Sequence, residues 1–539
     1  MGIQLTGPAT LALVGTGLLG AATLDAVDSA RPLHPYWTAE AAAGTASTVT
    51  AIAAWTRRRP DRGKAGASSR PGTGLATPAE IRRLAGPRAL QRQAAVLRPA
   101  LAGSGRPRVP PQELGTPIVR CGRQWIWSPV EDVTLRLGGP RTGKTGEIAC
   151  RLLDARGAVV ATSTRADLID LTAKLRAKRG RVQIFNPAGV RGIPTTVEFN
   201  PVAGCENLAL AGHRAADLLA PSSHGSEGDR EYWSAQAKRV LRCLLHAAAL
   251  GDRPMREVLA WVANPDGAGD VRRLLRKSPV PAIEDDAAQF LGTNDRTRSS
   301  ICSTIMPALE WLTDPAASAV AHGDAFDVER FLREAGTVYL LGEDDSTLTP
   351  LVTAFTGHIA REARRLAAMQ PGGRLDPPLT IVLDEAALIC PIPLDRWTAD
   401  MGGRNITIHI AAQSRAQLRQ RWGDTGAAAI MNNAATVLIY GGTRDPGDLS
   451  AYSTIIGDRV EEARTFDGSG RVVSVSHRRV PVLTPGQIAQ LPAGQVIAIR
   501  RGLRPVIGTT PMVWERRDVR PASPAVQPIT CDLSQGRNE

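Results

Sequence analysis

The chain has 539 residues, with 65 Lys and Arg against 52 Asp and Glu, a formal net charge of +13 and a pI near 10.0. That length allows more than one compact unit, each with a full core. Its seven cysteines lie far apart, with no C-x-x-C pair and no Cys/His cluster of zinc spacing, which excludes a disulfide scaffold and a zinc-finger class and fits buried thiols in a reducing compartment. The charge points to an anionic partner, either nucleic acid or an acidic membrane surface. A compositional preference for Arg over Lys is the alternative source, so charge alone selects no partner.

Residues 1–24 carry no charge, a run long enough to cross a bilayer, and no Lys or Arg precedes it as in a secretory signal. A second uncharged run, 41–56, is shorter. Trp37 and Trp55 bracket it, roughly 27 Å apart at helical rise, as interfacial belts require. The basic cluster "RRRPDRGK" follows at 57–64. The positive-inside bias then predicts an anchor at 1–57 made of two transmembrane helices, the second the weaker, in the inner or cytoplasmic membrane, with everything beyond it in the cytoplasm. Two soluble Ala/Gly-rich helices are the alternative. Residues 58–115 read as a basic linker rich in Pro, Gly and Ser, facing lipid headgroups or solvent. One helical patch interrupts it at 77–97, opened by Thr77 and Pro78.

Short strands are expected within 117–137, and from there strand and helix alternate. Strand-like runs occur at 133–137, 158–162, 182–185, 337–341, 379–383, 406–412 and 436–440. Most are continuously apolar and β-branched, as in a parallel sheet covered on both faces. The expected class is therefore α/β with a mainly parallel central sheet. Between 203 and 330 only helix-like segments appear, among them "REYWSAQAKRVLRCLLHAAAL" and "TRSSICSTIMPALEWL". An all-α domain inserted at 203–330 would divide the α/β part into 116–202 and 331–514. The remainder, 515–539, reads as a loose tail.

Chemistry enters at "GGPRTGKT", which is Gly138, Gly139, Pro140, Arg141, Thr142, Gly143, Lys144 and Thr145. A strand before and a helix after complete the context of a phosphate-binding loop. Its glycines let backbone N–H groups close around phosphates, Lys144 reaches the β- and γ-phosphates, and the Thr145 hydroxyl ligates Mg²⁺. A second buried strand, "LTIVL", ends in Asp384 and Glu385. Asp384 can hold the Mg²⁺ shell, and Glu385 can polarise the attacking water. The acid pair favours ATP hydrolysis, and no N-K-x-D guanine-reading sequence occurs. The next strand ends in Gln413, where an amide can sense the γ-phosphate. Arg404 precedes that strand, either as an arginine finger for a neighbouring subunit's nucleotide or as an ordinary surface cation.

These stretches, with "FNP" at 185–187 and 199–201 and "IHIAAQSRAQLRQRWGD" at 408–424, occur in an order that resembles the type IV secretion coupling proteins, the TraG/TraD-type conjugative DNA transfer ATPases. The resemblance covers about residues 115–510. It implies a RecA-like P-loop NTPase core of the RecA/FtsK-like class with an inserted all-α domain. It also implies a homo-hexamer that uses ATP and Mg²⁺ to pump single-stranded DNA, with its relaxase, toward a type IV secretion channel. The roles argued for Lys144, Thr145, Asp384, Glu385, Arg404 and Gln413 carry over by motif position. Two other readings remain: a related FtsK-like or secretion motor moving double-stranded DNA or protein, and a membrane adaptor that uses ATP only to assemble. The sequence carries no nuclease or relaxase pattern.

Overall fold

In the computed structural model of the chain, residues 74–102, 108–222, 227–343 and 347–519 are described. All belong to the second of two compact units, Ser68–Glu539. The expected anchor at 1–57 lies outside the described residues. Among those described, no helix is long and apolar enough to cross a membrane.

The strands are β1 (Gly115–Cys121), β2 (Gln124–Pro129), β3 (Val133–Leu137), β4 (Val159–Ser163), β5 (Val182–Phe185), β6 (Thr337–Leu341), β7 (Leu379–Leu383), β8 (Ile406–Ala412), β9 (Thr436–Tyr440), β10 (Asp458–Phe466), β11 (Val472–Pro481), β12 (Gln495–Arg500) and β13 (Val506–Thr509). Eleven of them form one sheet in the order β2-β1-β13-β12-β9-β3-β8-β7-β4-β6-β5. The seven strands from β9 to β5 run parallel. Residues of β3, β4, β6, β7, β8 and β9 are buried throughout, because helices cover both faces and no strand position is left for solvent. Beyond β9 the sheet continues with β12, β13, β1 and β2, each antiparallel to its neighbour.

The seven strand-like runs read from the sequence all occur, the second displaced by one residue. Strands β12 and β13 were not anticipated. They are short and lie between Gly and Pro residues that read as loop. Strands β10 and β11 form a separate two-stranded ribbon, nearly every residue of which is exposed or half-exposed. Outside the short run 472–476 its sequence is dominated by charged residues, which hid it.

Both edges of the large sheet are closed. At β2 the Trp127 amide donates to Ala85 O (2.8 Å). At β5 the Ile184 amide donates to Thr196 Oγ1 (2.8 Å), and the Thr196 amide returns to Ile184 O (2.7 Å).

The two "FNP" stretches meet on one helix, Thr349–Ala368. Phe185 lies edge-on to Phe355 with centroids 5.2 Å apart, and Phe199 stacks on it at 4.6 Å. Each asparagine then ties down its own loop. Asn186 donates to Ile193 O (2.7 Å) and accepts from the Val190 amide (3.0 Å). Asn200 accepts from the Val202 amide and donates to Gly323 O, both at 3.0 Å. Between β5 and β6 the described residues are helical or irregular, with Leu208–Leu219, Glu227–Leu250 and Asp295–Leu309 the longest helices. A buried Asp217–Arg361 ion pair joins this helical block to Thr349–Ala368, and the Arg214 guanidinium sits 4.6 Å over the Phe199 ring.

The second half of the 58–115 connector departs from a solvated linker. Three short helices, Pro78–Leu84, Pro87–Gln91 and Ala94–Leu97, replace the single patch, broken at Gly86 and Pro87. Thr77 and Glu80 form a capping box. Ile81, Leu90, Leu97 and Leu114 are buried, and Arg98 pairs with Asp376 (2.6 Å) and Glu113 (3.2 Å). Four buried apolar anchors, one from each of four short helices, outweigh the basic composition around them.

Candidate functional site

Strands β3, β8 and β7 lie side by side and parallel, so their C-terminal ends open at one rim of the sheet. Gly138 leaves β3 there, Gln413 leaves β8 and Asp384 leaves β7. Residues 138–143 form the loop, and Lys144–Asp154 is the helix that follows. Gly143 has φ +96°, a conformation a side chain would strain, and it turns the chain into the helix. A Cβ on Gly138 would lie 2.6 Å from Tyr440 Cβ, so the loop can leave the sheet only as glycine.

The loop amides and the helix N-terminus make an anion cradle. Lys144 is buried, and its Nζ donates to Gly138 O and to Gly139 O, the latter at 2.8 Å. Burial lowers its pKa, while Glu385 and Asp384 act to raise it. Thr145 Oγ1 donates to Asp384 Oδ2 at 3.2 Å. Burial above all, and then the nearby Glu385 charge, push the Asp384 carboxyl up to about 6. A half-buried hydroxyl paired with a buried carboxylate beside an anion cradle is a donor set suited to a hard divalent cation, whose charge favours the ionised carboxylate.

Glu385 adopts the left-handed region, φ +55° and ψ +46°, which for a non-glycine residue stores strain at a functional rim. That turn aims its carboxylate at β8, where Gln413 Nε2 donates to Glu385 Oε2 (3.3 Å). The Gln413 amide donates to Gln417 Oε1 (2.9 Å), and Ser414 caps the helix Arg415–Asn433. Lys144, Thr145, Asp384, Glu385 and Gln413 are thus brought together. Pro140 and Arg141 lie at the exposed crest of the loop, and Thr142 Oγ1 donates to Gly139 O (2.9 Å).

Arg404 stands apart. It ends the turn Met401–Arg404 before β8, so a seven-residue strand separates it from the rim, about 23 Å at strand rise. Its Nε lies 3.4 Å from Asp400 Oδ2, a carboxylate it shares with Arg364.

Two further features were not read from the sequence. Beneath the loop, Arg136 of β3, Glu147 and Arg151 form a fully buried ion triad. An arginine inside the apolar run "VTLRL" was its only signal. Above the loop passes the segment 511–519. A Cβ on Gly143 would lie 2.7 Å from Met512 Cε, and one on Gly146 2.5 Å from the Trp514 ring. Arg516 anchors the segment to Asp154 at 2.7 Å, so the expected loose tail is held at least through that bond.

A parallel sheet whose rim joins a phosphate loop to a second strand ending in Asp-Glu defines a P-loop nucleotide-binding α/β protein. The sequence profile of the type IV secretory system conjugative DNA transfer family matches residues 118–535, and the chain belongs to that family. Among solved structures it is similar to the bacterial conjugative coupling protein TrwB lacking its first 70 residues, in an unbound form, with 18% identity over 73% of this chain and 88% of that one and a TM-score of 0.57. TrwB in complex with the non-hydrolysable ATP analogue ADPNP gives 18% identity, coverage of 71% and 86% and a TM-score of 0.54. TrwB with ADP and Mg²⁺ gives 18%, 72% and 87%, and 0.55. No curated protein matches the chain in sequence.

Proposed function

We propose that this family member is a membrane-anchored ATPase that couples ATP hydrolysis to the movement of DNA, single-stranded and carrying its relaxase, toward a conjugative secretion channel. The observation that carries the reading is the convergence of Lys144, Thr145, Asp384, Glu385 and Gln413 at one rim in a chain of this family. TrwB's complexes with an ATP analogue and with ADP and Mg²⁺ support ATP and Mg²⁺ as the ligands here. The loop amides and Lys144 would hold the phosphates, and Thr145 and Asp384 the Mg²⁺. Mg²⁺ held there would supply neutralisation of the phosphate charge that develops during hydrolysis. Glu385, steered by Gln413, would position and deprotonate the attacking water.

In this reading residues 116–202 and 331–514 make the motor domain, 203–330 the inserted all-α domain and 1–57 the anchor in the inner membrane. Six copies form a ring. Arg404, remote from its own site, reaches the nucleotide of a neighbour. The test is DNA-stimulated ATP hydrolysis. Single-stranded DNA should raise the rate, and Lys144→Ala should abolish it. A rate indifferent to both single- and double-stranded DNA would overturn the motor reading, and stronger stimulation by duplex DNA would transfer it to a double-strand motor.

A further inference from the structure

We infer that Trp514 is the seat of the nucleotide's base: a stacking platform that takes a purine ring with no reading of its edges. The inference rests on the nucleotide-site reading above and deepens it. Trp514 is 52% exposed, so part of a large π-face lies open to solvent beside the loop. It is not a mobile surface ring. Its Cη2–Cζ3 edge fills the space that a side chain at Gly146 would need, at 2.5 Å from an ideal Cβ. The turn Val513–Glu515 that presents it is fixed on both sides. Cys150 Sγ donates to Pro511 O (3.6 Å) before it, and Arg516 pairs with Asp154 (2.7 Å) after it.

Its position follows the direction of a bound nucleotide. Thr145 turns toward Asp384, Glu385 and Gln413, which mark the γ-phosphate end. Gly143 and Gly146 turn to the other flank of the same helix start, and that flank is closed by Met512 and Trp514. A triphosphate laid through the cradle with its γ end at Asp384 delivers its nucleoside to the Trp514 side. Gly146 is then required twice: its amide belongs to the cradle, and its missing side chain lets the indole lie against the helix. Base–aromatic stacking is tolerant of base identity, since every base has a π-face.

The test uses the full chain and compares ATP with inorganic tripolyphosphate, which shares the phosphates and lacks the base. Trp514→Ala should weaken ATP binding about tenfold, leave tripolyphosphate binding unchanged, and raise KM with little loss of kcat. GTP should lose as much as ATP. Trp514→Phe should recover most of the affinity, whereas Trp514→Leu, which keeps apolar packing on Gly146, should not. Equal losses for ATP and tripolyphosphate would mean that Trp514 only shapes the loop, and unchanged ATP binding would place the base elsewhere. Lys144→Ala, expected to weaken both ligands, separates a failure of the nucleotide site itself from a failure of the platform.

Discussion

Asp384 holds two properties that oppose each other. Its carboxyl is pushed up to about 6 from an ordinary value of 3.8, so the group favours the fold below 3.8 and that contribution is lost as pH rises through about 6. At neutral pH, without metal, the buried charge costs up to about 3 kcal/mol. Asp384→Asn should therefore raise the thermal midpoint at pH 7 in metal-free, nucleotide-free buffer while eliminating hydrolysis. Calorimetry showing a lower midpoint would contradict the burial argument. Mg²⁺ needs the ionised form, so Mg²⁺-dependent nucleotide binding should fall as pH drops below about 6, measurable by titration across pH 5 to 7. The Arg136–Glu147–Arg151 triad works in the reverse sense. Removing its shared carboxylate leaves the buried Arg136 guanidinium without its counter-charge, while Arg151 keeps only Asp154 at 3.3 Å. Glu147→Gln should destabilise the protein by about 3–5 kcal/mol, read by denaturant unfolding.

Among elements, legibility followed burial. Most of the parallel strands are largely apolar runs, because both faces of all but the edge strand β5 are covered, and such runs are visible in one dimension. Loop 138–143 was equally readable, since its glycines answer local needs: the approach of Tyr440 to Gly138 and the left-handed turn at Gly143. What lies above and below the loop was not readable. Trp514 reaches Gly146 across more than 360 residues of chain, and nothing local in "PMVWERR" marks the approach. Ribbon β10–β11 escaped for another reason: it serves no core, so no face of it had to be apolar. Its base closes through the Val482 amide to Gly457 O (2.9 Å). Replacing residues 460–479 with a two-residue turn should leave the thermal midpoint and basal hydrolysis unchanged. A drop of several degrees would show that the ribbon supports the fold.

At the scale of the whole molecule, Arg404 gives the sharpest prediction. It lies at the sheet end opposite the loop, with Asp400 as its ion-pair partner. If the proposed ring forms, Arg404→Ala and Glu385→Gln proteins, each inactive alone, should regain part of the hydrolysis rate when mixed, because hybrid interfaces would pair an intact arginine with an intact acid. Mixtures as inactive as their parents would leave Arg404 a surface cation. How copies can meet is narrowed by the two closed sheet edges. Trp127 at one end and Ile184 at the other have already given their amides to neighbouring backbone and threonine. Neither end offers a free ladder for a foreign strand. Growth of the large sheet from copy to copy at Trp127 and Ile184 is thereby opposed, and with it strand-to-strand polymerisation through those two ends. Contacts made through those two ends are left to side-chain surfaces, which can separate and re-form without unzipping a backbone.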